Sequence, residues 1–117
     1  LKMYDKNNIF AKILRSELSC DKVYEDDLVL FFNDLYPAAK IHVLGIPKID
    51  CVDFSDFIKK ADKNTISHFF EKTEEIIKKL GIAESGYRIF ANSGVDGRQE
   101  IPHFHIHILG GEKVGRV

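Results

Sequence analysis

Between Asn64 and Leu80 the residues Ile66, Phe69, Phe70, Thr73, Ile76, Ile77 and Leu80 fall three and four positions apart, opposite Glu71, Lys72, Glu74, Lys78 and Lys79. That period predicts a long amphipathic helix with one face on a core, and Gly81 supplies its stop. A shorter helix is predicted after Asn8, a capping residue followed by Ile9, Phe10, Ile13 and Leu14 on one face, ending before the Ser19-Cys20-Asp21 turn. Asp53 to Lys60 holds a third, short helix. Elsewhere the pattern shortens to strands: Lys22 to Glu25 and Leu28 to Asn33 around an Asp26-Asp27 turn, Ile41 to Ile46 closed by Pro47, Tyr87 to Asn92, and His103 to Leu109 closed by Gly110-Gly111. Helix, hairpin, strand, helix, strand, strand predicts an α+β fold with a mostly antiparallel sheet and its helices on one side.

At 117 residues, with 44% hydrophobic and 30% charged positions, the chain is expected to form one domain over residues 1–117. Leu1-Lys2, ahead of Met3, fit residues appended to a start at Met3. Lys and Arg total 17 against 18 Asp and Glu, a net charge of −1, so no global field draws the chain to nucleic acid or to an anionic membrane. The longest apolar run, Leu28 to Phe32, is far short of the roughly 20 residues of a membrane helix. With no apolar signal segment near Met3, and Cys20 and Cys51 in no metal or redox spacing, a cytoplasmic location is expected, with both thiols buried and inert.

The unusual feature is Ile101-Pro102-His103-Phe104-His105-Ile106-His107-Ile108-Leu109, where three of the chain's five histidines alternate with apolar residues. In a strand this alternation sends His103, His105 and His107 to one side and Phe104, Ile106 and Ile108 to the other. Neutral imidazoles can attack phosphorus, hydrogen-bond a developing charge and move protons near neutral pH, which suits phosphoryl-type chemistry. A His-x-His strand can also offer two ligands to zinc, with His42, Cys51 or an acidic residue as third, and spacing alone selects none of these. His68, on the long helix, reads as surface or boundary structure.

The His-x-His-x-His pattern with apolar residues between resembles the signature of the histidine triad (HIT) superfamily. Asn8-Ile-Phe-Ala-Lys-Ile-Leu-Arg, Val23-Tyr-Glu-Asp-Asp, Asp34-Leu-Tyr-Pro, His42-Val-Leu-Gly-Ile-Pro-Lys, Tyr87-Arg-Ile-Phe-Ala-Asn and Gly110-Gly111 are similar, in order and spacing, to blocks of its Hint branch. The resemblance implies a five-stranded HIT-like sheet with one long and one or two short helices, joined across a homodimer. It implies a nucleotide-binding hydrolase that cleaves P–N or related nucleotidyl bonds of purine nucleoside monophosphate derivatives, with no cofactor and no catalytic metal. By this likeness His105 is the nucleophile, His107 contacts the α-phosphate, and His103 and His42 support the row. Asp34 accepts the ribose hydroxyls, Asn92, Gln99 and Glu100 belong to the nucleotide-binding set, and Phe10, Leu18 and Leu35 surround the base.

The chain departs from that pattern at Arg98-Gln99-Glu100, where Gly-Gln-Ser is usual. An ionised Glu100 cannot donate a hydrogen bond as serine does and would repel phosphate, which opens the question of leaving-group preference. Asn8 and Ala11 replace the Cys-x-x-Cys that holds a structural zinc in some relatives, so that site is expected to be missing. Dinucleoside polyphosphate hydrolysis and nucleotide-dependent interaction with weak catalysis are the alternative functions.

Overall fold

The computed structural model describes residues 3–116; the Leu1-Lys2 pair lies outside them. Asn8 caps α1 (Ile9–Leu14), its side chain accepting from Ala11 N. The strands are β1 (Lys22–Glu25), β2 (Val29–Asn33), β3 (Ile41–Pro47), β4 (Tyr87–Phe90) and β5 (Ile106–Gly110), and two further helices, α2 (Phe54–Lys60) and α3 (Lys63–Lys79), separate β3 from β4. They form one antiparallel sheet in the order β1-β2-β3-β5-β4, so the expected α+β architecture is present.

Local chemistry explains the ends of the elements. Asp53 and Asp62 cap α2 and α3 by accepting from Asp56 N and Thr65 N. Gly81 follows α3 at φ 76°, a left-handed conformation that costs glycine little. The β1–β2 connection is an aspartate-bonded turn: Asp26 Oδ1 accepts from Leu28 N and Val29 N. His68 reaches across from α3 to Asp26 Oδ2 at 2.6 Å, fastening helix to hairpin as a boundary residue.

Both sheet faces are covered, which corrects the expectation of helices on one side. Phe57 of α2 and Phe69, Ile76 and Ile77 of α3 pack on Val29, Phe31, Val43, Ile106 and Ile108. On the other face Phe10, with Ile13 and Leu14 of α1 beside it, packs on Leu30, Phe32, Leu44 and Ile46. Strands buried on both faces lose strict polar alternation, and β2 is buried along almost its whole length for that reason. Phe70 is turned outward, 39% exposed. Cys51 is sealed in the core, while Cys20 is half-buried rather than buried. Among the described residues no helix is long and apolar enough to cross a membrane.

Candidate active site

The α1 face of the sheet carries the histidines. Register sets Leu44 opposite His107 and His42 opposite Leu109, so His42, Leu44 and His107 share a face, and Phe90 lies opposite His107 from β4. A cleft of about 330 Å³ opens there, lined by Phe10, Asp34, His42, Phe90, Asn92 and His105 together with His107, Leu44, Ile101, Arg98 and Glu100.

The strand expected from His103 begins only at Ile106. Pro102 has no N–H to give a ladder, and the chain instead tightens around it, with His103 N donating to Ile101 O at 2.8 Å. His103 is consequently not in a row with the other two. It is fully buried, bonded to Tyr4 and the Pro47 carbonyl, and does not line the cleft. Two triad imidazoles face the cleft, His105 and His107, with ring centroids 5.0 Å apart; the third stands behind them.

Fixed backbone groups decide where the protons sit. Ala38 N–H donates to His42 Nδ1 at 3.0 Å, so neutral His42 carries its proton on Nε2. That Nε2–H donates to His107 Nδ1 at 2.9 Å, which puts the His107 proton on Nε2. His107 Nε2 is a buried donor without a partner among the described residues. His105 Nδ1 donates to the His103 carbonyl at 2.7 Å, leaving Nε2 as its unprotonated nitrogen. The Pro47 carbonyl can only accept, so His103 is protonated on Nε2, and Tyr4 Oη–H donates to His103 Nδ1 at 2.6 Å.

Burial keeps the whole set neutral. It lowers the pKa of His103 to about 4, against the opposing bond to Pro47, and that of His107 to about 4, with His105 and His42 adding to the effect. His105 and His42 also lie below the ordinary imidazole value through burial, with Asp34 working the other way.

Asp34, His42 and His107 each place one possible ligand atom within 4.8 Å of the others, which makes Asp34 and His42, not the core residue Cys51, the nearest companions of a metal-binding histidine. Their wiring does not suit a cation. A histidine that binds metal ordinarily donates its second N–H to an acceptor, whereas His42 Nδ1 faces the Ala38 donor. Metal on His42 Nε2 would force two N–H groups against each other.

The remaining candidates divide. Asp34 stands at the cleft, Oδ1 accepting from Tyr36 N and Oδ2 lying 3.4 Å from His42 Nε2. Phe10 meets His105 edge-on at 4.9 Å, and Asn92 and Glu100 line the wall. Gln99 is turned away as a clamp: its Nε2 donates to Val52 O and Ile101 O, and its Oε1 accepts from Gly94 N. This occupies a backbone N–H of the Ser93–Gly97 loop. Leu18 lines a separate groove beside Cys20, and Leu35 is 81% exposed; neither contributes to the cleft. The sequence pattern assigns Tyr4, Ala38, Pro47 and Phe90 no role at the site. Phe90 follows from strand alternation once β4 and β5 are set in register, whereas the other three act through distant or main-chain contacts.

The HIT domain family model matches residues 15–114. An uncharacterised HIT-like protein of Rickettsia prowazekii is 44% identical over 112 residues, covering 96% of this chain and 93% of that protein. The purine nucleoside phosphoramidase of Escherichia coli is 38% identical over 110 residues, covering 94% and 92%. Among solved structures, a histidine triad protein from Clostridium difficile superposes with a TM-score of 0.86 at 40% identity, covering 98% of this chain and 99% of that one. A sheet with paired cleft histidines, backed by likeness over nearly its whole length, places this chain in the HIT domain family.

Proposed function

We propose that the protein is a nucleotide-binding hydrolase that cleaves a P–N or related nucleotidyl bond of a purine nucleoside monophosphate derivative through a covalent intermediate on His105. One observation supports the reading: His107 Nε2–H is a buried donor with no acceptor among the described residues, beside a His105 whose Nε2 holds a lone pair. A donor buried without a partner costs on the order of 1–3 kcal/mol, which a phosphoryl oxygen in the cleft would recover. The P–N class is supported by the phosphoramidase relative from Escherichia coli.

In this mechanism His105 Nε2 attacks phosphorus as the bond to the amine breaks. The amine leaves with that electron pair and takes a proton from solvent. His105 Nδ1–H, now on a cationic ring, strengthens its bond to the His103 carbonyl, and His107 Nε2–H holds a non-bridging oxygen. Water then attacks phosphorus, the pair returns to His105 Nε2, and a proton is released to solvent. Asp34 accepts the ribose hydroxyls, and Asn92 and Phe10 border the ligand. A homodimer goes with this reading, supported by the half-exposed Tyr87 and Ile89 on edge strand β4, and sedimentation at micromolar concentration tests it.

Rapid quenching with an adenosine phosphoramidate should trap a nucleotidyl adduct on His105. His105→Ala should lose turnover by orders of magnitude while still binding nucleotide. Normal turnover by that variant would end the mechanism.

A further inference from the structure

The hydrogen bond that aims His105 ends on a carbonyl that no strand holds. His103 and His105 precede β5, so the His103 peptide lies outside the ladder that fixes His107. Outside the ladder the peptide is held by Phe104 N–H, which donates to the Cys51 carbonyl at 2.9 Å, and on its other side by the His103 ring, which sits between Tyr4 Oη at 2.6 Å and the Pro47 carbonyl at 2.8 Å. Phe10 braces the same ring edge-on at 6.3 Å and His105 at 4.9 Å.

We propose that Tyr4 is a positioning residue for the nucleophile: by donating to His103 Nδ1 it locks the ring whose backbone carbonyl receives His105 Nδ1–H and so presents the His105 Nε2 lone pair. The inference rests on the hydrolase reading above for its catalytic consequence, but not for its geometry. Tyr4 lies ahead of the segment matched by the family model, which begins at residue 15.

The N-terminal segment is built to hold this tyrosine. Asn8 N and Asn8 Nδ2 both donate to Asp5 O, at 3.1 and 2.7 Å, and Arg15 Nη1 donates to Lys6 O at 2.7 Å. The turn before α1 is thereby tied to the helix that carries Phe10. Burial raises the Tyr4 pKa, which keeps its hydroxyl a donor. Without that hydroxyl, His103 Nδ1 is a buried acceptor with nothing to accept. Its ring, left with the Pro47 bond alone, then gains freedom to turn, the His103 carbonyl shifts about the Phe104–Cys51 bond that still anchors its peptide, and His105 can exchange its proton between the two nitrogens.

The test compares wild-type protein with Tyr4→Phe, which keeps the ring and removes the donor. Met3→Ala, at a residue 90% exposed, is the control for a change in this segment. Imidazole nitrogen NMR should show His105 protonated on Nδ1 in wild type and in Met3→Ala, and its two nitrogen signals drawn together in Tyr4→Phe. Turnover of an adenosine phosphoramidate should fall about tenfold in kcat for Tyr4→Phe, with KM and affinity for adenosine monophosphate within about twofold. A Tyr4→Phe protein with the wild-type His105 spectrum and wild-type kcat overturns the proposal. Should wild-type protein form no His105 adduct, the hydrolase reading falls, and the nitrogen spectra alone then decide for or against Tyr4.

Discussion

Phe90 lies flat against His107, with 4.4 Å between ring centroids and 4° between planes. The β4–β5 register that sets them opposite each other makes the contact a property of the sheet. The stack fixes the plane in which His107 Nε2–H points. Aromatic pairs contribute about 0.5–1.5 kcal/mol beyond burial, so Phe90→Leu is expected to lower kcat roughly two- to tenfold. Steady-state kinetics with a phosphoramidate checks this, and an unchanged kcat would show that His107 is oriented by His42 alone.

Asp34 should discriminate ligands by their sugar. Asp34→Asn is expected to weaken a purine nucleoside monophosphate by roughly tenfold or more, since charge-assisted bonds to two hydroxyls are lost. A 2′,3′-dideoxy nucleotide should bind both proteins alike in isothermal titration. Equal loss for both ligands would move Asp34 from sugar recognition to support of His42.

The buried imidazoles make the fold sensitive to acid. His103 and His107 are held down to about 4, whereas an unfolded histidine titrates near 6.5. Between these values the unfolded chain binds protons that the folded chain refuses, so stability falls as pH drops from about 6.5 toward 4 and these groups leave it flat above about 7. Thermal unfolding between pH 7.5 and 4.5 should show Tm falling across that window, and a constant Tm would contradict neutral burial.

Glu100 stands exposed on the cleft wall. Glu100→Ser should raise kcat/KM for a phosphoramidate with an acidic leaving group several-fold relative to one with a neutral amine, because a nearby negative charge is removed. Equal effects on both substrates would place Glu100 outside the path of the leaving group.

Gly45 tests the packing behind the site. A Cβ there would strike the Phe31 ring edge, with Cδ2 at 2.8 Å, and would lie 3.2 Å from Ile106 Cγ1. Gly45→Ala should cost about 1–3 kcal/mol in urea unfolding, the usual range for overpacking.

Much of this architecture was legible because periodicity is local. The spacing from Ile66 to Leu80 marks α3, and alternation through His42, Leu44 and His107 sets the face on which the cleft opens. Alternation failed at His103, because a strand pattern does not show that the ladder begins only at Ile106, the N–H groups of His103 and Phe104 going instead to Ile101 O and Cys51 O. Leu18 and Leu35 entered through family likeness, and their apolar character carries no information about direction once a turn intervenes. Tyr4 was invisible for a different reason. Its partner His103 is 99 positions away, and only tertiary structure brings a lone N-terminal tyrosine to a buried imidazole.

The amide of Ala38 gives the paired histidines their polarity. A main-chain donor cannot ionise and is shared by nearly every residue type that could replace alanine, so the orientation of the bond between neutral His42 and His107 is insulated from side-chain drift. Only proline at position 38 would remove the amide hydrogen outright, and with it the fixed starting point from which the cleft face inherits its direction.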